Sequence, residues 1–375
     1  YAAARGRMEI IMKVLIIGGV AAGTKAAAKL KRRNPDTDVT IITKSKEISY
    51  AGCGLPYYVG GIIESRDELI VNSPEKYSAL TGVRVLTGRE AVSLDSAYRT
   101  VTARNLISGE SENYTYDELI ITVGASAVLP PIDGITLPGV FKMRTPDDAV
   151  ELRSYLERIS AKSAVIIGAG FIGLEVADNL FEKGIQITVI DSADQIMPGV
   201  LDSELADYVR RTLTKKGIRF ITGVRADKII GTDRAEGVST PYGILEADIV
   251  VSAAGIRPNT DFLDDSGLEM DRGAIKIDDQ LRTNLPHVYA AGDCAMVTNR
   301  ITGMPQWSPM GSSANMEGRT LAQLLTGMDK HYPGVLGTGV VKLPGINCGR
   351  TGLGKLQAEE AGYDVETAGA VTDDK

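Results

Sequence analysis

The chain has 375 residues, 43% of them apolar and only 5% aromatic, with 41 glycines and a formal charge of −7 at pH 7. That length exceeds one compact core and points to two or three domains. The acidic balance argues against a nucleic-acid partner, which needs a broad basic face. Three cysteines, Cys53, Cys294 and Cys348, are too few and too scattered for a disulfide framework or a zinc site. No metal is expected, and a reducing cytoplasm is the natural setting. No run approaches the ~20 apolar residues of a membrane span, so no membrane partner is expected.

Tyr1 to Glu9 stay outside the fold reading. Arg5 and Arg7 ahead of an apolar run superficially resemble a signal peptide. Lys13 interrupts that run, and the chain then alternates into a glycine turn. Lys13-Val14-Leu15-Ile16-Ile17 is predicted as a strand buried on both faces. The turn Gly18-Gly19-Val20-Ala21-Ala22-Gly23, a helix from about Thr24 to Arg33 and a strand Val39–Ile42 complete a βαβ unit. Such a turn lets backbone N–H groups and a helix N-terminus meet a pyrophosphate. It departs from G-x-G-x-x-G, with Val20 at the middle glycine and Thr43 where an acidic residue would hold a ribose.

Ser49-Tyr50-Ala51-Gly52-Cys53-Gly54-Leu55-Pro56-Tyr57 places one cysteine in a small-residue turn. Leu55-Pro56 reads as the first turn of a helix, where proline's missing N–H costs nothing. Unpaired N–H donors beside Cys53 are therefore expected to favour its thiolate and lower its pKa.

Glu118–Val123 and Gly124-Ala125, ending in Pro130-Pro131, read as a crossing out of the first unit. The second unit is cleaner. Strand Ala164–Ile167 leads to Gly168-Ala169-Gly170-Phe171-Ile172-Gly173, a helix to about Lys183, and a strand Ile187–Ile190 ending in Asp191. Asp191 stands about 20 residues past the first glycine, where a carboxylate accepts from ribose hydroxyls. It would repel a 2′-phosphate, so NADH is favoured over NADPH. Asp248–Gly255 reads as the return crossing, followed by a strand Val288–Ala291 ending at Gly292-Asp293 and a helix Ser312–Leu325. The second unit is thus read as inserted in the first. The expected domains are 12–144 with 256–328, then 145–255, and an incomplete C-terminal unit at 329–375. That last stretch carries a strand near Gly337–Leu343 and a helix near Leu356–Ala361, and it is too short to bury its own core.

This order resembles the FAD-dependent pyridine nucleotide-disulfide oxidoreductases. The Ser49–Tyr57 motif is similar to the single-cysteine branch of coenzyme A-disulfide reductases, CoA-persulfide or polysulfide reductases and NADH oxidases. The two-cysteine pattern C-x-x-x-x-C is absent, its second place being Tyr58. Oxygen- and peroxide-reducing members place a histidine where Ala21 stands, and the two histidines here, His287 and His331, lie elsewhere. The resemblance implies an α/β fold of two Rossmann-like dinucleotide-binding domains, the second inserted in the first, plus a C-terminal α+β dimerisation domain. It implies FAD at Gly18, Gly19, Gly23, Thr43, Gly124 and Asp293, and NADH at Gly168, Gly170, Gly173 and Asp191. Cys53 would be the redox-active sulfur, with Glu175 facing the nicotinamide–flavin stack. Cys294 reads as a packing residue and Cys348 as inert.

Lys25, Lys29 and Arg32 fall at i, i+4 and i+7 and form one basic stripe. By spacing alone that is a solvated helix face. The resemblance makes it, with Ser49 and Lys76, the site of coenzyme A phosphates, coenzyme A being a substrate or tightly bound ligand. The implied partners are a CoA-disulfide, persulfide or polysulfide, a second copy in a homodimer lending tyrosines, and a rhodanese-like sulfur carrier. The alternatives are an NADH oxidase working through a Cys53 sulfenate and a flavoprotein redox sensor with little turnover.

Overall fold

A computed structural model describes residues 11–370. Tyr1 to Glu9, with Arg5 and Arg7, lie outside the described residues, as do the last five residues of the expected C-terminal unit. In chain order the elements that position the site are β1 (Lys13–Ile17), α1 (Ala21–Arg33), β2 (Asp38–Thr43), α2 (Leu55–Gly60), α3 (Pro74–Thr81), β3 (Arg84–Thr87) and β4 (Glu118–Ile121). Then come β5 (Val140–Lys142), α4 (Pro146–Ile159), β6 (Ser163–Ile167), α5 (Phe171–Glu182), β7 (Gln186–Ile190), α6 (Ser203–Lys216), β8 (Arg219–Ile221) and β9 (Ile249–Ser252). The chain continues through β10 (Val288–Ala290), α7 (Gly311–Leu324), β11 (Gly339–Leu343), β12 (Ile346–Arg350) and α8 (Lys355–Glu360).

Two parallel five-stranded sheets organise the molecule. The first runs β10-β4-β1-β2-β3 and the second β8-β7-β6-β9-β5. The first sheet takes its edge strand β10 from chain beyond the whole second sheet. Both central strands are apolar after their first residue, Lys13 or Ser163, because each face of a parallel sheet is covered. Val14 and Ile16 meet α1 and α7 on one face, and Leu15 and Ile17 join Leu94, Val101 and Leu119 on the other. In β6, Ala164 and Ile166 face α4 and α5, while Val165 and Ile167 meet Ile229 and Val238.

The glycine turns of the two sheets are built alike. Gly18 and Gly168 have φ of +108° and +110°, and their N–H groups donate to Ile42 and Ile190 at the end of the neighbouring strand, each at 2.8 Å. A Cβ at either would overlap a backbone carbonyl, of Thr122 or Ala253. Helix α1 starts at Ala21 rather than Thr24, because Val20, Ala21 and Ala22 continue the turn directly into helix.

The C-terminal stretch does not stand apart. Val341, Leu343 and Cys348 of the β11–β12 hairpin enter the core beneath α5, which supplies the burial that so short a segment lacks alone. Among the described residues no helix is long and apolar enough to cross a membrane.

Candidate active site

Cys53 sits in a 3-10 turn, Gly52–Gly54, that runs into α2. That short helix belongs by sequence to the first sheet's unit but packs on the second. It buries Leu55, Tyr58 and Val59 in the core built by α4 and α5. Gly60 is needed there because a Cβ would overlap the Asn179 side chain of α5. From α4, Arg153 donates Nη1 to the carbonyls of Tyr58, Ile63 and Glu64 at 3.1 to 3.3 Å and covers the Tyr58 ring at 4.6 Å. The exposed Cys53 is thereby held at the junction of the two sheets.

The N-termini of α1, α5 and α7 carry no side-chain cap, whereas Ser73 caps α3 and Thr145 caps α4. Uncapped first turns leave N–H donors for an anionic ligand. The glycines beside them divide into two kinds. Gly18, Gly19, Gly23 and Gly173 are glycine because a Cβ would strike the protein's own atoms: Thr122, Ile48, and the carbonyl of Gly18 or Gly168. Gly170 is different. Its φ of −81° suits any residue, and a Cβ there would meet nothing within 4 Å. Nothing in the chain demands glycine at 170, so the open space fits the backbone approach of a pyrophosphate. Asp191 accepts from the N–H of Ala169 at 2.7 Å and of Ala193 at 2.8 Å. A carboxylate has lone pairs beyond those two bonds for ribose hydroxyls. In the first turn Thr43 is buried and lies against Gly19, its Cγ2 being 3.5 Å from where a Gly19 Cβ would stand.

Glu175, Asp293 and Arg144 reach Cys53 from distant parts of the chain, and Tyr57 lies one turn along from it. Glu175 of α5 is pushed up to about 7, mainly by burial and then by Asp178 one turn along the same helix. Asp178 is buried, and its own carboxyl is raised by that burial and by Glu182, with Lys342 and Lys216 opposing. Tyr57 is raised by desolvation and by Glu175, Asp178 and Cys53. Asp293, following β10, is bound by Arg144 through Nη2 at 2.6 Å, while Arg144 Nε donates to the Ala125 carbonyl at 2.8 Å. Trp307 fixes the Asp293 backbone, its indole N–H donating to the carbonyl at 2.9 Å.

These groups overturn one expectation. Desolvation first, then the Glu175 and Asp293 carboxylates, push the Cys53 thiol up rather than down, with Arg144 alone opposing them. The helix that follows the cysteine has only six residues, and burial is the first cause of the rise. Cys294 is fully buried, donates weakly to the carbonyls of Ile121 and Ala291, and is pushed up to about 12. Cys348 lies in the hairpin core and is raised by burial.

The family model described as pyridine nucleotide-disulphide oxidoreductase matches residues 12–314. The chain belongs to that family. It is 34% identical over 347 residues to an NADH oxidase of Methanocaldococcus jannaschii, covering 92% of this chain and 77% of that protein. It is 35% identical over 357 residues to an NAD(P)H coenzyme A polysulfide/persulfide reductase of Pyrococcus horikoshii, covering 95% and 79%. The crystal structure of reduced Bacillus anthracis CoADR-RHD matches with a TM-score of 0.91 at 31% identity. That match covers 95% of this chain but only 64% of the Bacillus chain.

Against the pyridine nucleotide-disulphide oxidoreductase frame, the basic stripe is well defined. Lys25 and Lys29 are half-buried, Arg32 is exposed, and none of the three makes a salt bridge to a described residue. Their neighbours Lys31 and Arg33 are occupied instead, on the Pro35 and Thr37 carbonyls and on Thr326. Helix α3, carrying the exposed Lys76, is tied to α1 by the Tyr77 hydroxyl on the Thr24 carbonyl. Ser49, at φ +50°, donates its N–H to the Gly19 carbonyl at 2.8 Å, so the cysteine segment starts beside the first glycine turn. Gly124, at φ +67°, lies under the Arg144 guanidinium.

Sequence reading missed the roles of Arg144, Asp178 and Tyr57. Arg144 precedes a legible helix start, Thr145-Pro146-Asp147-Asp148, but nothing local signals its pairing with Asp293. Asp178 had a signal, since it stands one turn from Glu175 on an apolar helix.

Proposed function

We propose that the protein is an FAD-dependent, NADH-driven disulfide oxidoreductase whose Cys53 reduces a coenzyme A disulfide, coenzyme A persulfide or polysulfide. One observation carries this reading: an exposed cysteine on a segment that bonds the first glycine turn through Ser49 and packs on α5, the helix that follows the second. FAD would be held by Gly18, Gly19, Gly23, Thr43, Gly124 and Asp293, with α1 donating N–H groups to its pyrophosphate. NADH would lie along Gly168, Gly170 and Gly173 with its ribose on Asp191, whose charge disfavours a 2′-phosphate. When bound, the flavin supplies two-electron transfer between a nicotinamide hydride and sulfur.

The rest is the work of this chain's own residues. The Cys53 thiolate attacks one sulfur of the acceptor, forms a mixed disulfide and expels the other sulfur as thiolate. That exchange needs no general base, only thiolate and a good leaving sulfur. Arg144 opposes part of the rise that burial, Glu175 and Asp293 impose on the Cys53 thiol. Glu175, raised to about 7, would take up or release a proton near neutral pH beside the nicotinamide side of the site. Lys25, Lys29 and Arg32, with Ser49 and Lys76, would take coenzyme A phosphates through charge-assisted contacts. A homodimer and a rhodanese-like sulfur carrier complete the proposal, as does a reducing cytoplasm, where an unpaired exposed thiol persists.

The Methanocaldococcus relative's name favours a second reading, oxygen reduction through a Cys53 sulfenate. Ala21, in place of that branch's histidine, weighs against it. The deciding assay follows NADH oxidation with and without oxygen. Anaerobic NADH consumption matched by thiol or sulfide release from coenzyme A disulfide or polysulfide is expected. Oxygen uptake equal to NADH oxidised, unchanged by added disulfide, would overturn the sulfur reading. Negligible turnover with either acceptor would leave a redox sensor.

A further inference from the structure

Glu317, in the middle of α7, is 1% exposed, as thoroughly buried as the core leucine four residues after it. Its Oε2 accepts the N–H of Gly292 at 2.5 Å. The Tyr332 hydroxyl, from the segment that returns past α7, donates to the same carboxylate, and Tyr332 is itself bonded to Ser313. Both donors favour the ionised form, yet burial outweighs them and raises the carboxyl to about 6. A buried charge of this kind costs stability that its hydrogen bonds only partly offset. What it holds is specific. Gly292 is in the left-handed region at φ +79°, wedged between Ala22 of α1 and Ala314 of α7, and it is followed directly by Asp293. Next to Glu317, Gly318 lets α7 lie so close to α1 that a Cβ would overlap the Ala22 carbonyl. The carboxylate thus stands behind the turn that presents Asp293, and it feels the Asp293 charge.

We infer that Glu317 is a positioning residue with two separable effects: its hydrogen bond to Gly292 sets Asp293 for flavin binding, and its negative charge lowers the flavin reduction potential. This rests on the reading that Asp293 faces FAD. The physical logic is direct. A fixed negative charge in a low-dielectric interior opposes the arrival of electrons nearby. A flavin made harder to reduce is, once reduced, a stronger donor to a disulfide.

Two variants of the flavin-loaded protein separate the effects. Glu317→Gln keeps an oxygen for the Gly292 N–H and loses the charge. It is expected to retain flavin as the parent does while its midpoint potential, read against a reference dye, rises. A tenfold change in the reduction equilibrium corresponds to about 30 mV for two electrons. Glu317→Asp keeps the charge but withdraws it from Gly292. It is expected to hold its potential and to bind flavin about tenfold more weakly, as read by titration of the flavin-stripped protein.

A merely structural role would change flavin affinity and melting temperature together in both variants and leave the potential of the Gln variant unmoved; that result overturns the inference. Should neither variant fold, Tyr332→Phe removes one donor to the carboxylate, and its potential is expected to rise toward that of a neutral Glu317. An unchanged potential there also overturns it. If the unmodified protein takes up no flavin, the functional reading and this inference fall together. If it binds flavin and the Gln variant keeps the parent's potential, only the role of Glu317 falls.

Discussion

Gly170 and Gly173 stand three residues apart in one turn, yet the structure predicts opposite consequences for replacing each by alanine. At Gly173 a Cβ would overlap the carbonyl oxygen of Gly168, and a third close neighbour is the Ala253 side chain at 3.3 Å. The backbone on both sides must move, an overpacking that costs ~1–3 kcal/mol or more. That lowers the melting temperature by several degrees, since ~1 kcal/mol shifts a domain of this size class by roughly 2–4 °C. At Gly170 the new methyl meets nothing within 4 Å, and φ is −81°. Alanine there restricts the unfolded chain and is worth about 0.4–1 kcal/mol in favour of folding.

The space that the methyl fills at Gly170 is the space assigned to the dinucleotide pyrophosphate. Gly170→Ala is therefore expected to keep or raise the melting temperature of the dinucleotide-free protein while weakening NADH by about tenfold, or ~1.4 kcal/mol. Thermal melts without ligand and a fluorescence titration with NADH read the two effects separately. Parent-like NADH affinity in Gly170→Ala, or a loss of stability matching Gly173→Ala, would refute the assignment of that space.

The electrostatics of the site give three further outcomes. Glu175 is raised from 4.5 to about 7, so the folded state favours its protonated form. Its contribution to stability is full below pH 4.5 and is lost as the pH climbs to about 7. Glu175→Gln is accordingly expected to gain melting temperature over the parent at about pH 8 relative to the difference at about pH 4.5; equal differences would contradict the burial argument. Arg144→Gln removes the one cation that opposes Glu175 and Asp293, so alkylation of Cys53 by iodoacetamide should shift to higher pH, and an unshifted profile would remove Arg144 from the site. Lys29→Glu with Arg32→Glu should raise the Michaelis constant for coenzyme A acceptors, more so at low salt, and leave small polysulfides unaffected; equal effects on both would dismiss the stripe as a coenzyme A site.

Both βαβ units were legible in sequence because a parallel strand buried on both faces is a short, mostly apolar run and because its turn has to be glycine where Cβ meets carbonyl. The start of α1 was misplaced because the turn passes into helix through Val20 and two alanines, with no capping residue to mark the boundary. Docking of the β11–β12 hairpin under α5 was hidden for a different reason. Alternating Val341, Leu343 and Cys348 declare a buried face but not what buries it. The reversal at Cys53 has the same origin: its neighbours Glu175 and Asp293 arrive through tertiary packing of α2 on α5 and through the end of β10. Local sequence around the cysteine reports a helix start and nothing of those charges. Lys25, Lys29 and Arg32 show how far spacing alone reaches, since it predicts the stripe, and only the structure separates them from Lys31 and Arg33, which serve the chain itself.

The central claim is that Cys53 is the sulfur through which reducing power leaves the protein, and Cys53→Ser tests it most directly. The account predicts that the purified variant binds flavin and has it bleached by NADH as the parent does, while NADH-dependent reduction of coenzyme A disulfide and polysulfide is lost. Sulfur reduction at the parent's rate in the serine variant would contradict it.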